Sequence, residues 1–266
     1  MSTTTPNVPY RLEFSVEVPG TPEQVWQAIA TADGISSWFL PTDLEERLGG
    51  AIVTHMGDEG SSPGTVTGWD PPRRLAYEEP DWDALVGHQG APVTPLATEF
   101  LVEAQSGGTC VVRVVSSAFG TGAEWEQEFF DEMERSWAPF FDHLRLYLAH
   151  FPGQRATPLS VNADVAGGQE SAYAAMRQAL GVTEARRTVD ALGITGRVER
   201  VGDVEVLVHV DAPVPGYVAF YAYDKADGVA SARVTGYFFS GDAPQFVERA
   251  APEWQAWLES LAVRAA

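Results

Sequence analysis

From Arg11 to Val18 the chain alternates, with Leu12, Phe14, Val16 and Val18 on one side and Arg11, Glu13, Ser15 and Glu17 on the other. A period of two marks a strand with one face in a core and one in water. Pro19-Gly20 closes it. Thr21, Pro22 and Gln24 then supply an N-cap, a first-turn proline and a capping-box partner ahead of Val25, Trp26 and Ile29, which predicts a short helix over residues 21–31. Asp33-Gly34 breaks that helix, and the aromatic segment holding Ile35, Trp38 and Phe39 is expected to fold back over the core. Strands are predicted at 43–48, 51–56, 65–70 and 74–78, then at Leu96–Ala104 and 109–117, the last two joined by Ser106-Gly107-Gly108 as a hairpin. Residues 79–95, with three prolines, two glycines, several acids and Trp82, read as a mobile loop at the sheet rim.

Between residues 123 and 150 the period lengthens. Trp125, Phe129, Met133, Trp137, Phe140, Leu144 and Leu148 recur at spacings of three and four, one apolar stripe on a long helix that needs a large apolar partner. A curved sheet supplies one, with the stripe in its concave face. Pro139 removes a backbone donor and should bend the helix to follow that curvature.

A second pass follows. A strand at 159–165, a helix at Gly168–Leu180 and strands at 196–200, 204–211, 217–224 and 230–239 lead to a closing helix from Pro244, with Phe246, Ala250, Trp254, Trp257, Leu258 and Leu261 on one side. The fold class is therefore α+β: a curved antiparallel sheet around a long C-terminal helix over residues 1–153, then a smaller α+β domain over 158–266. The second has about two fewer strands and is readable as a degenerate repeat of the first.

Composition narrows the function classes. The 266 residues suit two domains, and 45% hydrophobic against 20% charged residues is an ordinary globular balance. A formal charge of −20 opposes nucleic acid and anionic lipid as partners. One cysteine, Cys110, cannot close an internal disulfide, the first residues lack a basic and then apolar leader, and no apolar run approaches the roughly 20 residues of a membrane span. Cytoplasmic placement without membrane insertion is the expectation.

The run from Val16 through Pro19-Gly-Thr-Pro-Glu-Gln-Val-Trp26, followed by Ala32-Asp33-Gly34-Ile35-Ser-Ser-Trp38-Phe39, resembles the opening of SRPBCC proteins of the branch named for the activator of heat-shock protein 90 ATPase. Gly64-Thr-Val-Thr67, Trp69-Asp-Pro-Pro-Arg-Arg-Leu75 and the Trp137-to-Leu148 part of the long helix extend the resemblance over about residues 13–151. It implies the helix-grip fold of START and birch-pollen-allergen proteins and the binding of an apolar or amphipathic small molecule between sheet and helix. The family also contains polyketide cyclases, stress-response proteins and co-chaperones, so fold alone does not choose among these.

The cavity candidates are Trp38, Phe39, His55, Trp69, Tyr77, Phe100, Val102, Val114, Ser116, Met133, Trp137, Phe140 and Phe141, inward strand residues and helix-stripe residues that could equally fill a solid core. Two alternatives stay open. One is a cyclase- or hydrolase-type enzyme using His55, Tyr77 or Arg113; the other is an interaction module that docks onto a protein partner or its own copy. No cofactor is called for: there is no metal-ligand spacing, no nucleophile elbow and no phosphate-binding glycine pattern, and His143 and His150 lie about 10 Å apart along a helix. The acids Glu124, Glu126, Glu128, Asp131, Glu132 and Glu134 are expected to form a solvated helix face.

Overall fold

A computed structural model describes residues 7–57, 60–183, 187–225 and 228–264. The chain divides into two compact units, Met1–Arg155 and Ala156–Ala266. In the first, the elements run β1 (Val8–Pro19), α1 (Pro22–Ala30), α2 (Ala32–Ile35), β2 (Thr42–Leu44), β3 (Ala51–His55), β4 (Ser61–Asp70), β5 (Arg74–Glu79), a 3₁₀ turn (Trp82–Val86), β6 (Leu96–Ala104), β7 (Thr109–Gly120) and α3 (Glu124–His150). All seven strands join one antiparallel sheet in the order β1-β7-β6-β5-β4-β3-β2. In the second unit, β8 (Thr157–Ala166), α4 (Gly168–Leu180), β9 (Thr188–Ala191), β10 (Ile194–Val201), β11 (Glu205–Ala212), β12 (Gly216–Asp224), β13 (Val229–Phe238) and α5 (Ala243–Arg264) follow. Its sheet order is β8-β13-β12-β11-β10-β9.

The same rule builds both sheets. The first strand of each unit pairs with its last, and the others descend in order to the far edge. Each unit is α+β and ends in a long helix. The second unit has one strand fewer than the first, not two, because β9 was missed.

The predicted capping box starts α1: the Thr21 side-chain oxygen accepts from the Gln24 N–H, and the Gln24 side chain accepts from the Thr21 N–H at 2.9 Å. This seats Val25, Ala28 and Ile29 in the core. The Trp38 segment folds inward as expected, its indole N–H donating to the Ala28 carbonyl at 2.9 Å.

Three expectations need correction. Residues 79–95 are not a loose rim loop: Glu79 ends β5, the Trp82 ring is fully buried, and its N–H donates to the Thr94 carbonyl at 2.9 Å. Asp83, also buried, accepts from the Ala91 N–H. Trp82 then packs on Trp125 and Phe129 at ring separations of 5.5 and 4.6 Å. A large apolar ring with a satisfied polar tip overrode the signal of the surrounding prolines and glycines.

The helix stripe is also turned in its first half. Phe130 is buried beside Tyr10, whereas Trp125, Phe129 and Met133 lie partly buried at the edge of that cluster. Glu126 is the third departure. It is fully buried instead of belonging to a solvated face, and it accepts from the N–H groups of Thr121, Gly122 and Ala123 and from the hydroxyls of Thr121 and Tyr10. Burial would push its carboxyl pKa up, but the bonds from Thr121, Gly122 and Tyr10 outweigh that and hold it below the usual carboxylate range.

Candidate functional site

The concave face of the first sheet is set by register. Phe14, Val114, Phe100 and Leu75 stand side by side across β1, β7, β6 and β5, and the next rung is Leu12, Ser116, Thr98 and Tyr77. Val16, Val112 and Val102 form the rung on the other side of the phenylalanines. An otherwise apolar floor therefore carries a polar row. The Ser116 and Thr98 hydroxyls lie 3.1 Å apart, and Tyr77 stands opposite Thr98 on the neighbouring strand. All three side chains are buried. Burial, reinforced by the charge of Glu79, pushes the Tyr77 phenol pKa far up, so Tyr77 stays a neutral hydrogen-bonding group at physiological pH.

Above this floor lies a ring cluster. Trp137 stands 5.5 Å from Phe39, 6.1 Å from Phe100, 6.4 Å from Phe14 and 5.8 Å from Phe141, and Phe39 meets Phe140 edge-on at 4.6 Å. Phe39, Trp137 and Phe140 keep part of their surface in solvent, while Phe100 and Phe141 are buried. A small void remains beside the cluster, bordered by Trp38, Phe39, Ile52, Leu75, Tyr77 and Phe100 among others. The room it leaves for the centre of a water-sized sphere is about 10 Å³, which suits a single water.

Most of the sequence candidates meet in this one place: Trp38, Phe39, Tyr77, Phe100, Val114, Ser116, Trp137, Phe140 and Phe141 are at the void, the floor or the cluster, with Val102 one rung away. Three do not. Met133 packs with the Trp82 cluster, and Trp69 meets Trp26 edge-on at 5.0 Å. His55 is on the wrong face: β3 turns Ile52 and Thr54 to the void, so His55 points away, where its ring nitrogen contacts Asp43 at 2.9 Å. Arg113 likewise stands on the outer face, paired with Glu13.

Phe14 and Thr98 were missed. The alternation that marked β1 already put Phe14 on the inner face, and Thr98 occupies the same phase of β6 as Phe100.

Residues 19–149 match the model of the family described as Activator of Hsp90 ATPase homolog 1-like protein. The first unit belongs to that family. Solved structures similar to the chain include a protein of Mesorhizobium loti, 19% identical over 53% of this chain and 98% of its own, with a TM-score of 0.46. The di-domain ARO/CYC protein BexL of the BE-7585A biosynthetic pathway is 15% identical over 97% of this chain and 98% of its own, with a TM-score of 0.44. A third, from Bacillus halodurans, is 21% identical over 52% of this chain and 96% of its own, with a TM-score of 0.41. No curated protein matches the sequence. Among the described residues no helix is long and apolar enough to cross a membrane, and no three His, Cys, Asp or Glu side chains are grouped to hold a metal ion.

Proposed function

We propose that the Activator of Hsp90 ATPase homolog 1-like unit binds a small apolar or amphipathic molecule on the concave face of its sheet, beneath α3. The observation that carries this reading is the buried Tyr77–Thr98–Ser116 row set into an apolar floor. Binding pockets are mostly apolar with a few convergent polar groups that orient the ligand, and this floor has that composition. The void of about 10 Å³ takes no ligand as it stands, so the partly exposed rings of Phe39, Trp137 and Phe140 swing aside to admit one. Drug-sized ligands need roughly 300 Å³ or more.

Thermal-shift screening of the full chain against a panel of lipids, polyketides and aromatic compounds tests this. A ligand at one hundred times its Kd stabilises the folded state by about 2.7 kcal/mol, an easily measured rise in Tm. It should also change Trp137 fluorescence. A panel that moves neither Tm nor fluorescence, together with no adduct in the native mass of freshly purified protein, rejects the proposal.

Tyr77→Phe refines the test. It removes the phenolic hydroxyl and leaves the ring, so stability should change by about 1 kcal/mol or less while affinity for any ligand with a polar group falls about five- to tenfold. Equal affinity of the variant and the parent, measured by titration calorimetry, would remove Tyr77 from the recognition row.

A further inference from the structure

We propose that β1 is a dimerisation edge, along which the first strand of one chain pairs antiparallel with the first strand of a second copy. This goes beyond the ligand-binding reading and does not depend on it. β1 is the outermost strand of its sheet, with β7 on one side. Backbone groups alternate sides along a strand. The Gly20 N–H donating to the Gly108 carbonyl at 3.0 Å fixes the phase, so Val18, Val16, Phe14, Leu12 and Tyr10 turn theirs to β7. The N–H and C=O groups of Arg11, Glu13, Ser15 and Glu17 point out of the sheet. Among the described residues no hydrogen bond reaches these groups, and Arg11, Glu13 and Glu17 bond through their side chains.

α3 meets β1 from the concave side, through Phe130 on Tyr10 and through Trp137 and Phe141 on Phe14. Leu12, Phe14 and Val16 stay only partly buried, although Ser116, Val114 and Val112 opposite them on β7 are buried. The second unit treats its first strand differently. The outward carbonyl of Asn162 on β8 accepts from the Gln255 side chain of α5 at 2.9 Å.

The residues of the edge complement themselves. Centred on Phe14, two antiparallel copies of β1 set Arg11 opposite Glu17 twice and Glu13 opposite Ser15 twice on the exposed face. On the other face Phe14 meets Phe14 and Leu12 meets Val16, which covers the half-buried side chains. Pro9 falls opposite Pro19 at both ends, where the missing N–H groups close the ladder. Sliding by two residues sets Glu13 against itself or against Glu17, and sliding by one turns the apolar side chains to the wrong face.

The formal charge of −20 opposes association at low ionic strength, so the test is run at about 0.15 M salt, where charges more than about 8 Å apart are screened. Sedimentation velocity of the full chain from about 1 to about 200 µM should show monomer passing to dimer, as a small interface requires. Glu17→Arg places two arginines opposite each other and Arg11→Glu two glutamates. Each variant should dimerise at least about tenfold more weakly than the parent at an unchanged Tm, because both side chains are exposed. Mixed in equal amounts, the two variants regain both Arg–Glu pairs and should form a heterodimer, visible by native mass spectrometry, at about the parent's affinity. Ser15→Pro removes an outward N–H and leaves the β7 ladder intact, so a folded variant should be monomeric.

A parent chain that stays monomeric over the whole concentration range overturns the inference. So do dimers that both charge variants and Ser15→Pro leave untouched, and a mixture of the charge variants that stays monomeric.

Discussion

Glu126→Ala is expected to destabilise the first unit by about 3 to 5 kcal/mol, because truncation strands several buried donors at once. The donors are the N–H groups of Thr121, Gly122 and Ala123 and the hydroxyls of Thr121 and Tyr10, all directed at one carboxylate where α3 begins. That carboxylate also faces the positive end of the helix dipole. Ala123, at the cap position, has no side-chain oxygen to satisfy the helix N–H groups, and Glu126 bonds the Ala123 N–H from one turn in.

The effect has a pH signature. The folded pKa of Glu126 is lowered from 4.5. Its stabilisation is therefore fully present above the unfolded value and is lost as pH falls through the folded one. Urea unfolding of the parent chain and of Glu126→Gln should differ most at neutral pH and converge in acid. A gap of the same size at both pH values would show that Glu126 acts through packing and not through its charge.

Trp254→Ala is expected to have a comparable effect on the second unit, again about 3 to 5 kcal/mol. Trp254 is fully buried on α5 among Phe220, Phe238 and Phe246, with ring separations of 6.1 to 6.4 Å. Its indole N–H donates to the Leu192 carbonyl at 2.9 Å. Removing the ring leaves a cavity and also frees the β9–β10 turn. Leu192 holds that turn at φ 55°, a left-handed conformation that a leucine adopts only at some cost. Trp254→Phe keeps most of the ring volume and should cost far less. Amide exchange of β12 and β13 reads the loss locally, and a change below about 1 kcal/mol for the alanine variant would contradict this role.

The same turn explains why one strand escaped sequence reading. Ala191 pairs with Ile194 across a two-residue loop of Leu192 and Gly193, both at positive φ. Such hairpins are usually announced by Asn-Gly or Asp-Gly. Here the first place is a leucine whose conformation depends on a tryptophan 62 residues away. The elements that were legible had local causes: the capping box of α1, the alternation of β1, and the glycines between β6 and β7.

The site divides in the same way. Alternation and helical spacing were enough to gather most of the rings around Trp137, because one-face patterning is local. They misplaced His55, whose side depended on the pairing register of a five-residue strand, and they missed the burial of Glu126. Glu126 is a carboxyl, which composition assigns to water. What buries it is a set of backbone N–H groups in the turn before α3.

Seen as a mechanical part, α3 is a beam clamped at its two ends. Near its start Glu126 is tied into the turn before the helix and Phe130 is packed on Tyr10; near its end Leu144, Tyr147 and Leu148 are buried, and the Tyr147 hydroxyl donates to the Gln154 carbonyl. Between the clamps, residues 131–140 contain no buried side chain, and Pro139 leaves the Arg135 carbonyl without its helical donor. The weakest span of the beam lies over the ring cluster. Room above the polar row can come from bowing of that span, with neither anchor released.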